Sequence, residues 1–333
     1  MSHAPAISVL MPVHDARDTV MAAIESVVAQ TWEDWELVVV DDGSQDGTTE
    51  LLQQFAKKEA RMVLLRKERG GIAQALQRGC ELCRGEFIAR MDADDVMDAR
   101  RLEMQRAFLI ENCEAGLVSC RVRFGGTEVG YAAHVEWINA LMHHDEMSLR
   151  RFVEAPVAHP SVMFRRDLIA KHGGYRDGAF PEDYELWLRW LEAGVRFGKV
   201  DAELLTWNDP PDRLSRADAR YSVEAFYAMK CRYLKRWIET HAAGREVWLW
   251  GAGRITRRRF DGISELITGF IDVDVAKRGP HRDGRMVRMA DDLPEREGRV
   301  ILAGVGARGA REAIYEHLTT RGWCEGRDFL LVA

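Results

Sequence analysis

No stretch of this 333-residue chain approaches the roughly 18 consecutive apolar residues that a membrane-spanning helix needs. An integral membrane protein is therefore not expected. The first residues, Met1-Ser2-His3-Ala4-Pro5, also lack the basic stretch and apolar core of a secretory signal. Cysteine is scarce, six residues without a repeated spacing, which argues against a disulfide scaffold and for reduced thiols in a cytoplasm. Cys80 and Cys83 form a CxxC, but on an expected helix and without a second pair or a nearby histidine set. A structural zinc takes four ligands, so helix packing is the reading. An excess of positive charge is missing too: the net charge of −6 argues against nucleic acid, whose phosphates are bound through clustered Lys and Arg. Basic clusters are only local, at Arg100-Arg101, Arg165-Arg166 and Arg257-Arg258-Arg259. What is present, 47% hydrophobic and 30% charged residues, is an ordinary globular composition in a chain long enough for two domains.

Within it, two apolar runs end in carboxylates. Glu36-Leu37-Val38-Val39-Val40 leads into Asp41-Asp42-Gly43-Ser44-Gln45-Asp46-Gly47, the pattern of a buried parallel strand entering a turn. Glu86 to Met91 leads into Asp92-Ala93-Asp94-Asp95. Upstream, Ile7 to Val13 is an expected strand, Arg17 to Gln30 an expected helix with Val20, Ile24, Val27 and Val28 on one face, and Asp46 opens another helix through Leu51, Leu52 and Phe55. Strands alternating with helices predict a doubly wound sheet, whose ligand crevice lies at the carboxyl ends of its strands. Clustered carboxylates there suit a hard divalent cation and, through it, a diphosphate. Taken alone, the acids would equally serve a turn or a helix start.

Several motifs in order resemble the family-2 glycosyltransferases, inverting enzymes of the GT-A fold. Ser8 to Asp15 is similar to the family's opening strand, and Val38 to Ser44 to its nucleotide-binding strand end. Gly70 to Gly79 is similar to the glycine-led helix before the metal strand, and Arg84 to Asp95 to the metal motif with its lead-in. Ala158 to Arg166 and Pro181 to Arg189 resemble acceptor-side segments. The likeness covers residues 6 to 215. It implies a GT-A transferase domain over residues 1–215, then a helical linker at 216–243 and a smaller Rossmann-like α/β domain at 244–333.

The resemblance also implies a site. A departing nucleoside diphosphate gathers negative charge, which a divalent Mn2+ or Mg2+ neutralises as Lewis acid and template. Asp94 is assigned to the metal, with Asp92 at the ribose or sharing the metal through water. Asp95 either supports them or caps the helix containing Leu102 and Leu109. The attacking hydroxyl needs a proton acceptor on the opposite face of the sugar; Asp183 holds that place by resemblance, with Glu182 as substitute. Asp41 and Asp42 are assigned to base or ribose, which favours UDP with other nucleotides open. Pro12 and Val13 line the nucleotide cleft, and Arg90 and His159 approach the diphosphate. His14-Asp15 stands where relatives often carry Tyr-Asn, and Gln77 where this branch commonly shows Asn. The Gln-x-x-Arg-Trp motif of processive synthases is absent, since Leu186 stands where Gln would be needed before Arg189-Trp190. That favours transfer of one sugar per encounter. The implied role is transfer to a hydroxyl of a glycan or lipid-linked acceptor in surface polysaccharide or glycoconjugate synthesis.

Beyond these motifs the pattern is weaker. Residues 125–158 suggest an irregular acceptor-binding lid, although Val135 to Met142 has helical spacing. His134, His143, His144 and His159 show no His-x-x-x-His pair with a nearby acid, so a metal is not read from them. Ser222 to Thr240 is an expected helix with Phe226, Met229, Tyr233 and Trp237 in a stripe and Lys230, Arg232, Lys235 and Arg236 around it. Such a helix packs on a domain or docks peripherally at the inner face of a membrane. Gly251-Ala252-Gly253 follows an expected strand, with Asp272 about 20 residues on, as in a dinucleotide fold. Thr256 replaces the third glycine, so a structural or homo-oligomer role stands beside ligand binding. Two other functions stay open: a nucleotide-binding regulatory module with an inactive transferase domain, and, ranked last for want of a Tyr-x-x-x-Lys or catalytic Cys, an NAD-dependent sugar oxidoreductase.

Overall fold

A computed structural model describes residues 4–210, 216, 218–281 and 283–333. The domain boundary expected at residue 215 and the first three residues of the chain lie outside them. Two compact units are present: residues 1–147, 156–178 and 182–217 form the first, and residues 148–155, 179–181 and 218–333 the second.

The first unit is built on β1 (Ile7–Val13), β2 (Trp35–Asp42), β3 (Met62–Lys67), β4 (Phe87–Arg90), β5 (Val96–Met97), β6 (Ala115–Phe124), β7 (Met163–Arg165) and β8 (Arg196–Trp207), in the order β3-β2-β1-β4-β7-β6-β8-β5. Every residue of β1, β2 and β4 is buried. Their continuous aliphatic runs thus answer to a sheet covered on both faces. The expected parallel winding holds across β3-β2-β1-β4. Beyond β4 it changes: β7 runs antiparallel to both β4 and β6, and β5 antiparallel to β8. The sheet is therefore mixed, because β7 enters from the far end and seals β4 at its outer edge.

Helices Val20–Val28, Thr48–Ala56 and Ile72–Leu82 cross between the parallel strands. The last starts after Gly71, whose φ of +89° suits a residue without Cβ. Gly79 lets this helix lie close on the sheet, since a Cβ there would stand 2.2 Å from a Leu10 methyl. Helix Arg101–Glu111 begins six residues after Asp95, so Asp95 does not cap it. Residues 125–158 are not an irregular lid either: helices Val129–Ala140 and His144–Arg150 occupy much of the segment. Val135 and Ile138 are buried, and Asn139 bonds both backbone groups of Val122 on β6. Apolar helical spacing outweighed the scattered polar residues there.

The second unit carries β9 (Glu246–Trp250), β10 (Ile267–Asp272), β11 (Gly279–Pro280), β12 (Met286–Met289), β13 (Arg299–Ala303) and β14 (Phe329–Leu331), in the order β11-β12-β10-β9-β13-β14. All pairings are parallel except β11 with β12. Helix Val223–His241, expected as a linker, belongs to this unit. Ser222 caps it by accepting from Ala225 N at 3.2 Å. Met229, Tyr233 and Trp237 are buried as a stripe should be, but so is Lys230, expected on the basic face. Its ammonium donates to the carbonyls of Val153 and Val332 at 3.0 Å and stands 4.2 Å from the Tyr227 ring centre, partners that offset only part of its desolvation. With its aromatic stripe used internally, this helix does not offer the membrane face considered for it.

Candidate functional site

At the end of β2 the two carboxylates organise backbone. Asp41 accepts from Ser44 N at 3.0 Å and from Thr49 Oγ1 at 2.5 Å, closing the turn onto helix Thr48–Ala56. Asp42 accepts from Lys67 Nζ at 2.5 Å, Gly70 N at 2.9 Å and Gly71 N at 2.7 Å. Burial pushes its pKa up, but Lys67 and the two amides overcome that and hold it below the usual carboxylate range. Pro12 and Val13 are buried at the end of β1, opposite Val40 and Asp41. The following loop is locked to β2: Asp15, at φ +45°, accepts from Gln45 N, and its own amide donates to Ser44 Oγ.

The end of β4 carries the larger charge imbalance. Asp92, Asp94 and Asp95 can bring carboxylate oxygens within 4.8 Å of one another. Asp92 and Asp94 are partly exposed, whereas Asp95 is fully buried. One Asp95 oxygen accepts from Asn208 N at 2.8 Å, and Asn208 Nδ2 also holds the Asp94 carbonyl at 2.6 Å. The other Asp95 oxygen has no hydrogen-bond partner. Burial first, then the charges of Asp92 and Asp94, push its pKa well up. Crowded hard oxygens with an orphaned buried acceptor fit a divalent cation, which supplies the positive charge the site lacks.

Arg90 joins this corner to the segments after β6. Its guanidinium is buried and ion-paired with Asp92, and its Nε has no hydrogen-bond partner. Burial disfavours the charge, but Asp92 more than restores it, leaving Arg90 firmly cationic. Its field also reaches Asp95, Tyr175, His159 and Asp183. His159 starts a single 3₁₀ turn, is buried, and bonds Tyr175 Oη through Nε2 at 2.8 Å. Burial and then Arg90 lower its pKa well below the usual value, so the ring is neutral and supplies no charge to a diphosphate. Asp183 lies in the first turn of helix Glu182–Glu192, partly exposed, with Glu182 buried beside it. Burial raises the Asp183 pKa against the opposing pull of Tyr184 N and Arg90. In the same first turn, buried Glu185 pairs with Arg189 at 2.9 Å and Arg176 at 3.2 Å. Arg189 also holds the carbonyls of Gly173 and Gly174, which fixes the turn before Tyr175.

The structure thus gathers Asp92, Asp94, Asp95, His159 and Asp183 about Arg90, while Asp41 and Asp42 fasten the loops at the neighbouring strand end. Tyr175, Asn208 and Lys67 were not anticipated. Only the Gly173-Gly174 turn before Tyr175 offered a signal, while Asn208 acts across 113 residues of sequence.

In the second unit Asp272 stands at the end of β10, as expected. Its oxygens accept from Ala252 N at 2.9 Å, Asp274 N at 2.9 Å and Lys277 Nζ at 3.0 Å. It therefore fastens the glycine turn. Thr256 packs under that turn, where a Cβ on Gly251 would stand 2.9 Å from its methyl.

Comparison with known proteins agrees with this architecture. The chain is 28% identical over 236 residues to the O-antigen biosynthesis glycosyltransferase WbnJ of Escherichia coli, covering 70% of this chain and 89% of that one. It is 29% identical over 242 residues to the putative glycosyltransferase EpsE of Bacillus subtilis, covering 71% and 85%. The fold is similar to that of S. aureus TarS in complex with UDP-GlcNAc, with a TM-score of 0.53 at 16% identity. That superposition spans 70% of this chain and 66% of the TarS chain, and only 39% of a longer TarS chain. The family described as Glycosyl transferase family 2 matches residues 8–173, from β1 through the acidic turn to the segment after β7. On that match, and with homologues that are glycosyltransferases, the chain belongs to glycosyl transferase family 2.

Proposed function

We propose that this enzyme moves one sugar at a time, with inversion, from a nucleoside diphosphate sugar to a hydroxyl of a glycan or lipid-linked acceptor. The observation that carries the reading is the carboxylate cluster at the end of β4, set beside a buried arginine and an acid of raised pKa. Asp94 and Asp92, with the unpartnered oxygen of Asp95, would hold Mn2+ or Mg2+, which when bound neutralises charge on the leaving diphosphate. Arg90 pairs with Asp92 and orients it. Asp183 takes the proton of the attacking hydroxyl as the new bond forms; its raised pKa brings it nearer neutrality, where a general base is most effective. Glu182 is its neighbour and substitute.

Uracil is the favoured base. The acidic end of β2 suits the imide N–H of that base, and TarS, whose fold is similar, is bound to UDP-GlcNAc. The WbnJ relationship supports a place in surface polysaccharide synthesis. The test is unfolding in the presence of Mn2+ and a panel of UDP-, dTDP- and GDP-sugars, followed by hydrolysis assays on the hits. Protection should require metal and sugar nucleotide together and vanish in Asp94→Ala. Protection by nucleotide alone that survives Asp94→Ala would favour a regulatory nucleotide site instead.

A further inference from the structure

The second unit concentrates positive charge in an acidic chain. Between residues 254 and 288 stand nine basic and five acidic side chains, against −6 for the whole protein. The same segment holds the most exposed aliphatic side chains among the described residues: Ile255 at 70%, Val273 at 72% and Val275 at 73%. The fold brings them to one edge. Ile255 follows the turn after β9, and Val273 and Val275 follow β10, its parallel neighbour, so both segments leave the sheet at its carboxyl end. Ala252 N bonds Asp272 across the two loops, and Lys277 bonds the same carboxylate. Arg254 and residues 273–278, including Lys277 and Arg278, are exposed around the aliphatic tips. The acids of this edge are spent on Lys277, which pairs with Asp272 at 3.0 Å and Asp274 at 3.6 Å, so Arg254 and Arg278 carry the outward positive charge.

Aliphatic tips flanked by Arg254 and Arg278 on an otherwise acidic protein match an anionic bilayer, where side chains dip into the headgroup region and cations meet lipid phosphates. We propose that this edge, Ile255, Val273 and Val275 with Arg254 and Arg278, docks the protein peripherally on anionic membrane lipid. The surface differs from helix Val223–His241, whose aromatic stripe is internal, and it is independent of the transfer chemistry.

The experiment is co-sedimentation of the full chain with vesicles of phosphatidylcholine alone or mixed with phosphatidylglycerol. Binding should need the anionic lipid and weaken with salt. Arg254→Ala with Arg278→Ala should weaken it about 25-fold, at about fivefold per basic residue near the surface. Ile255→Ser with Val275→Ser should weaken it by about tenfold or more. These positions are exposed, so unchanged thermal unfolding will verify the fold, and UDP-sugar hydrolysis should be unaffected. Equal binding to neutral vesicles, or none to anionic ones, overturns the proposal. So does self-association abolished by Ile255→Ser, which would assign the edge to a second copy, or lipid-free protection by UDP lost in the arginine variant, which would assign it to a soluble nucleotide.

Discussion

Asp95→Asn separates a metal corner from a merely structural acidic turn. In the folded protein one Asp95 oxygen holds Asn208 N, and the other is buried with no partner beside Asp92 and Asp94. At an effective dielectric of about 20, two carboxylates 4.8 Å apart repel by about 3.5 kcal/mol. Arg90 offsets part of this, and an unsatisfied buried acceptor costs about 1–3 kcal/mol. Asparagine keeps the shape and the bond to Asn208, removes the charge, and can donate to Asp92 or Asp94. In chelator-treated protein it should stabilise the first unit by about 1–3 kcal/mol, a rise in Tm of about 3–9 °C for a domain of this size. Added Mn2+ should reverse the ranking. At 100 times its Kd, metal stabilises the native protein by about 2.7 kcal/mol, and the variant should lose most of that gain. Differential scanning calorimetry with and without Mn2+ reads both effects, the two units being followed as separate transitions. A variant less stable than wild type in chelator, with its metal-dependent shift intact, would refute the reasoning and leave Asp95 a plain structural acceptor.

Asp183→Asn should lower turnover by about 10²–10⁴-fold while leaving calorimetric donor affinity within about twofold; near-normal turnover would return the base to Glu182. Arg90→Met should destabilise the first unit by about 3 kcal/mol, because it leaves Asp92 beside Asp95 without its counter-charge. Arg90→Lys should not restore stability, since the planar fork is lost. Lys230 supplies a pH test in the second unit. Burial lowers its pKa from 10.5 to about 7, so between those values the unfolded chain binds more protons than the folded one. Stability should therefore rise with pH from about 7 to about 10.5, and urea titrations of Lys230→Met should show that rise flattened. A slope unchanged by the substitution would exclude Lys230 as its source.

How much of this was legible without coordinates follows from range. The aliphatic runs of β1, β2 and β4 and the acids ending two of them are local patterns: a strand covered on both faces must be continuously apolar, and polar residues can return only where the chain leaves the sheet. Position along the chain therefore already placed Asp41, Asp42, Asp92 and Asp94 at strand ends, and the helical spacing of Val135 to Met142 was visible beneath its polar neighbours. Nothing local could say that β7 turns antiparallel against β4 and delivers His159 and Tyr175 beside Arg90, or that Asn208 closes the acidic turn. Those partners lie far apart in sequence and meet only when sheet register is set. The same holds for charge. Arg90, His159 and Lys230 carry ordinary side chains, and whether each is cationic, neutral or poised near pH 7 depends on burial and on the charges tertiary packing sets around it. The amino-acid sequence by itself determined which side chains can do the chemistry and at which strand ends they stand; the tertiary structure alone decided their partners and protonation, because desolvation and Coulomb energies belong to the packed molecule.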